Sequence, residues 1–360
     1  MRTLSGLLLV VLLGGCVAGP VADRRESSSS MTTDSRAVRV EPQLAADSLV
    51  TADGASLPLR QWLPAEQPTA VILALHGFND YSNAFAVPGA AWAQNGIATY
   101  AFDQRGFGGA PDRGRWAGAE RLAADAASAA ALLRRRHPGV PLYLLGESMG
   151  GAVAILAASG HGGASASDLD GVILVAPAVW GRQTMNVVER VGLWLTDLIP
   201  AMTLSLDHLP VSFQPSDNIP MLRAFSADPL VLKTTRADTV NGLVDLMTAA
   251  LATGRRFDAP LFVLYGAHDE IVPRESLARF VEELPARAAH RQRIALYPQG
   301  YHMLLRDLEG QVPIADVAAW VRDTAAPLPS GADDARAQLT GHAAPATVAR
   351  DEGLRVRARG

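Results

Sequence analysis

Cysteine is almost absent: the 360 residues hold one, at position 16. No intrachain disulfide can form, and no cysteine-based zinc site is possible. Lysine is equally scarce, with Lys233 alone among 32 basic residues, which reads as genome composition rather than chemistry. Basic charge is not in excess either. The 36 acidic residues leave a net charge of −4, which argues against the cationic footprint of a nucleic-acid-binding surface. No segment of the body is long and apolar enough to span a membrane, which takes about 20 residues. What is present suits a folded protein: 49% hydrophobic and 19% charged residues exclude wholesale disorder. The length allows two or three domains at about 150 residues each, or one large α/β domain with an insertion.

The N-terminus reads as an address. Arg2 gives a short positive start, residues 7–13 are apolar, and Leu13-Gly14-Gly15-Cys16 follows. The apolar run is too short for a membrane span but fits the core of an export signal, with small residues before the cut. A cysteine directly after that small pair resembles a bacterial lipoprotein lipobox. The resemblance implies lipidation of Cys16, removal of residues 1–15 and a mature protein anchored to the cell envelope. Val17 is not the Asp that favours inner-membrane retention, so the outer membrane is the expected address. Two alternatives stay open: an ordinary export signal with an incidental cysteine, giving a secreted protein, or a cytoplasmic protein whose translation starts at Met31. Residues 16–41, with Ser27 to Ser30 and few large apolar side chains, have a tether composition. Residues 327–360 lack aromatics and a sustained apolar period, and are expected to be a disordered tail.

The body, 42–326, alternates strand and helix signals. Apolar runs at Ala70–Leu75, Ile97–Phe102, 142–145, 172–176, 261–265 and 293–297 have the form of buried parallel strands. Ahead of them, 47–51 and 57–62 flank Asp53-Gly54, a hairpin signal. Helical stretches at 82–94, 120–137, Met149–Ala158, 274–284 and 313–324 lie between the strands. This predicts an α/β fold with a doubly wound, mostly parallel sheet. The alternation stops at about 181–258, where Leu, Met and Trp recur at helical spacing between prolines. That stretch is expected to be a helical cap over the carboxyl ends of the strands, where open α/β sheets bind ligands. Thickening of the core is the alternative.

The chemistry centres on Ser148. An apolar strand runs into Gly146-Glu147-Ser148-Met149-Gly150-Gly151, and an Ala-rich helix follows. This is the strand–turn–helix context of a nucleophile elbow, in which side chains at 146 and 150 would collide. A serine hydroxyl needs a base, and the base an orienting carboxylate, in the order serine, acid, histidine. Asp269 lies just past the strand at 261–265, and His302 lies in the loop after the last strand. Glu270 and His268 are adjacent rivals. An oxyanion needs donors, and these are assigned to the backbone N–H groups of Met149 and Phe78. His76 and Gly77 are expected to shape the loop that holds Phe78, and Asp103 to Gly108 to form a structural turn. No metal or organic cofactor is called for.

Together His76-Gly77-Phe78, the Asp103-Gln-Arg-Gly-Phe-Gly108 turn, the Ser148 motif, Tyr265 to Pro273 and Tyr297 to His302 resemble the monoacylglycerol lipase/lysophospholipase branch of the α/β-hydrolase superfamily, grouped with serine aminopeptidases. The resemblance covers about 45–325. It implies a Ser148–Asp269–His302 triad, an α/β-hydrolase fold and a cap that admits an acyl chain. It departs from the family at Phe78-Asn79-Asp80-Tyr81-Ser82, where relatives carry a Gly-Glu-His-Ser type of run. The expected function is hydrolysis of acyl esters such as monoacylglycerols or lysophospholipids, with Trp180, Met185, Trp194 and Leu198 as candidates for an acyl pocket or equally for the cap's own core. A peptidase or amidase of the same fold would need an acidic anchor for an amine, and Asp197, Asp207, Asp217 and Asp228 are scattered. A non-catalytic envelope protein on the same scaffold is the third class. Chain length, head group and oligomeric state are not legible.

Overall fold

The computed structural model describes residues 40–161, 169–182, 185, 193, 199–205, 213–333 and 335–341. The signal segment, Cys16, the tether up to residue 39, Trp194 and Leu198 lie outside the described residues. Three short antiparallel strands come first: β1 (Gln43–Leu44), β2 (Ser48–Val50) and β3 (Ser56–Trp62). The Asp53-Gly54 turn joins the last two, and Gly54 supplies the positive φ of 82° that the turn requires. Strands and helices then alternate as β4 (Ala70–Leu75), α1 (Ala86–Gln94), β5 (Ile97–Phe102), α2 (Ala119–Arg136), β6 (Leu142–Glu147), α3 (Met149–Ala158) and β7 (Gly171–Val175). The insertion contains β8 (Thr203–Ser205), α4 (Ile219–Ala227), β9 (Thr234–Arg236) and α5 (Ala237–Thr253). The alternation resumes with β10 (Leu261–Gly266), α6 (Arg274–Glu283), β11 (Gln292–Tyr297), α7 (Gln311–Arg322) and α8 (Arg336–Thr340).

Among the described residues, the main sheet has nine strands in the order β1-β2-β3-β5-β4-β6-β7-β10-β11. From β5 to β11 every neighbour is parallel, while β3 joins β5 antiparallel. Strands β4, β5, β6, β7 and β10 are buried at every position. Both of their faces are covered, which is why their sequences are unbroken apolar runs rather than alternating ones. Val71, Leu73 and Leu75 point into a cluster with α2, α3, α5 and α6. Ile72 and Ala74 point to the other face, onto Trp92 of α1 and Val317 and Trp320 of α7. Helix α3 is buried from Met149 to Ala157. A helix apolar all round belongs in the interior, and this one packs on β6 between α2 and α5.

Two sequence expectations need correction. The insertion is not purely helical, because β8 and β9 pair antiparallel within it. Its last part is not a lid either. Val244, Met247, Ala250 and Leu251 of α5 are buried in the same cluster as α3, so this helix belongs to the core layer. The other correction concerns the tail. Residues 327–333 and 335–341 are folded onto the domain, not disordered. Leu328 and Leu339 are buried, the Ala335 N–H donates to Ile294 of β11, and Asp333 pairs with Arg293. Buried Asp316 of α7 accepts from the Ser330 backbone N–H at 3.0 Å and from the Tyr297 hydroxyl at 2.7 Å. The sequence signal was weak because single apolar residues spaced across a polar segment carry no period, yet each finds a socket. Among the described residues, no helix is long and apolar enough to cross a membrane.

Deleting buried methyl groups from such a socket is measurable. Leu339→Ala should lower the unfolding free energy by about 2–5 kcal/mol in a urea titration. A loss near zero would mean that the segment is not packed in solution.

Candidate active site

The residues assigned to the triad and the oxyanion donors fall at carboxyl ends of parallel strands. Phe78 follows β4, Ser148 follows β6, Asp269 follows β10 and His302 follows β11. The order β4-β6-β7-β10-β11 brings these loops to one edge of the sheet.

Ser148 sits at φ 53°, ψ −117°, a strained conformation for a residue with a Cβ. The main chain on both sides holds it there. Its N–H donates to Val175 at the end of β7, and its carbonyl accepts from Gly151 and Ala178, each at 2.9 Å. Glycine is required at two neighbours. A Cβ on Gly146 would collide with the Gly150 carbonyl, and one on Gly150 with the Leu75 carbonyl. A Cβ on Gly77 would stand 3.4 Å from the Ser148 Cβ, so the loop after β4 runs beside the serine.

That loop is built by His76. The ring is fully buried, with Nδ1 2.8 Å from the Gly77 carbonyl and Nε2 accepting the Gln104 N–H at 2.9 Å. Burial pushes its pKa down, so it is a neutral structural imidazole. The turn at Asp103 to Gly108 supports the same loop: Asp103 accepts the Ser82 N–H at 3.0 Å and the Gly109 N–H at 2.8 Å. Phe78 rests edge-on against Phe107 with centroids 5.5 Å apart. Met149 opens α3, so its N–H has no partner within the helix. Among the described residues no carbonyl accepts the N–H of Phe78 or of Met149. Two donors beside a strained serine, one at a helix N-terminus, suit a developing negative charge.

Asp269 and His302 are brought together. His302 Nδ1 lies 2.9 Å from Oδ2 of Asp269. A carboxylate only accepts, so the proton is on Nδ1 and the lone pair on Nε2. The other carboxylate oxygen accepts the N–H groups of Ile271 at 2.8 Å and Val272 at 3.0 Å. The Asp269 side chain is wholly buried, and both of its oxygens are used. The rivals are occupied elsewhere. Glu270 accepts the Gln214 N–H of the insertion at 3.0 Å, and exposed His268 stacks on Tyr301. Burial pulls the His302 pKa down, but the charge and hydrogen bond of Asp269, helped by Glu147, outweigh it against Arg306. The pKa therefore stands above the ordinary 6.5.

Sequence reasoning missed a buried ion cluster at this edge. Arg306 meets Asp80 at 2.8 Å and Glu147 at 3.4 Å; both carboxylates are buried and the guanidinium is mostly so. Glu147 and Arg306 are 159 positions apart and Asp80 lies farther away still, so no local pattern announces the cluster. Of the acyl-pocket candidates, Met185 is buried in the core cluster and Trp180 packs against it. Asp217 accepts the Leu308 N–H and Asp228 the Tyr81 hydroxyl, while Asp197 and Asp207 lie outside the described residues. Among the described residues, no group of three or more His, Cys, Asp or Glu side chains is arranged to hold a metal ion.

Residues 66–309 match the family model described as serine aminopeptidase, S33. Monoacylglycerol lipase from Mycolicibacterium smegmatis is 24% identical over 72% of this chain and 90% of its own length. Human monoglyceride lipase is 25% identical over 72% of this chain and 84% of its own. A solved structure of a soluble variant of monoglyceride lipase from Saccharomyces cerevisiae, in complex with a substrate analog, superposes with a TM-score of 0.64. It is 19% identical and covers 81% of this chain and 98% of that one.

An NMR titration of His302 should give a midpoint above 6.5. Asp269→Asn should move it down, since the largest raising influence goes while burial stays. A wild-type midpoint below 6.5 would contradict the described geometry.

Proposed function

The chain belongs to the serine aminopeptidase S33 family, and from that premise we propose that it is a carboxylic ester hydrolase in which Ser148, His302 and Asp269 act as a triad on acyl esters such as monoacylglycerols or lysophospholipids. The observation that carries this reading is the Asp269–His302 hydrogen bond at the sheet edge that also bears the strained Ser148 turn. With Nδ1 engaged by Asp269, Nε2 is the nitrogen left to take the Ser148 proton. The serine oxygen attacks the ester carbonyl, and the N–H groups of Phe78 and Met149 receive the charge that develops on its oxygen. The alcohol leaves with a proton from His302. Water, activated by the same histidine, then releases the acid and restores the serine. The two curated relatives, both named as lipases of monoacylglycerols, support the substrate class.

Ser148→Ala should fold normally and lose at least about 10³-fold in ester turnover, with a residue of rate above water from the oxyanion donors. A fluorophosphonate probe should label Ser148 in the wild type. Across p-nitrophenyl esters, kcat/KM should climb from acetate to a medium or long chain, by at most about fourfold per added methylene. Labelling at another serine, or a preference for aminoacyl-naphthylamides over every ester, would overturn the reading.

We also propose that the mature protein starts at a lipid-modified Cys16 and sits on the outer membrane. The support is the Leu13-Gly14-Gly15-Cys16 sequence followed by Val17. Intact-mass spectrometry of protein from its native host should give a chain beginning at Cys16 with acyl groups attached, and Cys16→Ser should block processing. An unmodified start at Met1 or Met31 would end this idea.

A further inference from the structure

The cluster around Arg306 joins the His302 loop to the Ser148 turn and the Phe78 loop without belonging to the triad. Arg306 lies four residues after His302, in the same loop. Its Nη1 is 2.8 Å from Asp80 Oδ2, and Asp80 lies two residues after Phe78. Its Nη2 is 3.4 Å from both carboxylate oxygens of Glu147, the residue before Ser148. The guanidinium also stands 5.7 Å from the Phe225 ring of α4 in the insertion. Its carbonyl accepts the Asn218 side-chain amide at 3.0 Å, and its N–H donates to Met303 at 2.7 Å. Asp80 is 3% exposed and Glu147 2%. One guanidinium faces two buried carboxylates, and burial pushes the Glu147 pKa up against the opposing pull of Arg306.

We propose that Arg306 is a positioning residue for the hydrolysis: from the loop that carries His302 it clamps the Ser148 turn through Glu147 and the Phe78 loop through Asp80. This rests on the serine hydrolase reading. These three pieces leave three separate strands, and among the described residues no backbone hydrogen bond joins the His302 loop to the Ser148 turn or to the Phe78 loop. A planar, permanently charged fork can hold two carboxylates at once, whereas a lysine ammonium is a single point. The clamp also sets the field at the base. His302 is faced by Asp269 from the loop after β10, by Glu147 from β6, and by Arg306 and Asp307 from its own loop. Glu147 draws the imidazole pKa up and Arg306 draws it down.

The experiment reads the rate at which a fluorophosphonate labels Ser148, which needs an activated serine and no knowledge of the natural substrate. Arg306→Lys should slow labelling while leaving the melting transition cooperative. Arg306→Met strands two buried carboxylates and can unfold the chain, so the charge-free triple variant Asp80→Asn/Glu147→Gln/Arg306→Met is compared with it. The triple variant should fold and still label about 10²-fold more slowly than wild type, as a displacement near 1 Å would produce. The acid limb of its pH–labelling profile should move to lower pH, because Glu147's upward pull exceeds Arg306's opposing one and both are gone. A purely structural role would leave that limb in place. Labelling of the triple variant at the wild-type rate, or an unmoved limb, would overturn the proposal. A wild type that labels at Ser148 but cleaves no ester would sink the functional reading and leave this comparison intact.

Discussion

One backbone turn sets the terms for the rest of the site. The chain arrives on β6, reverses at Ser148 with φ 53° and leaves as α3. A residue with a Cβ held in such a region costs about 1–3 kcal/mol, and it persists only where the surroundings over-determine it. Here they do. Val175 accepts the Ser148 N–H, Gly151 and Ala178 donate to its carbonyl, and the Gly150 backbone approaches Leu75 too closely for any Cβ. These contacts exist because β4, β6 and β7 are neighbours in one sheet. The strain is therefore held by the fully buried centre of the domain, and the following helix must be apolar on every side to lie there.

The charge pairs divide into those that tie distant segments and those that do little. Arg105 reaches Asp125 of α2 and Asp53 of the β2–β3 turn, joining the N-terminal meander to the domain. Arg306 does the same for the loops at the sheet edge. Removing one partner from a buried pair strands the other charge, at about 3–5 kcal/mol. Pairs with an exposed member, such as Arg279 with Glu283, contribute roughly 0–1 kcal/mol.

The insertion is bonded to the loops of Phe78, Asp269 and His302 rather than resting on them. Asn79, at φ 63°, donates from its side-chain amide to Thr235 of β9 and accepts the Leu232 N–H on its carbonyl. Gln214 donates to Glu270, and Met303 donates to the Pro215 carbonyl. Tyr81 donates to Asp228 at 2.6 Å. Any substrate-dependent change in the insertion would thus be felt in the loops of Phe78, Asp269 and His302. The Phe78-Asn79-Asp80-Tyr81 run is the segment that makes three of these links.

Local patterns were enough for the sheet and for the order of its parts. Buried parallel strands must be apolar at consecutive positions, so Ala70–Leu75 and Ile97–Phe102 were readable to the residue. The Ser148 turn was readable because its glycines are demanded by contacts a few residues away. Asp269 and His302 followed from their order after strands, but their 2.9 Å hydrogen bond belongs to the folded chain alone. Where partners lie far apart in sequence, nothing local could reveal them. Asp80, Glu147 and Arg306 each look like ordinary surface charges until the sheet order gathers them. Residues 327–341 look like a polar tail until Leu328 and Leu339 meet their sockets, and α5 looks like part of a lid until it packs beside α3. Periodicity determines which face an element must bury; only the closed fold decides against what, because that choice depends on groups brought together from opposite ends of the chain.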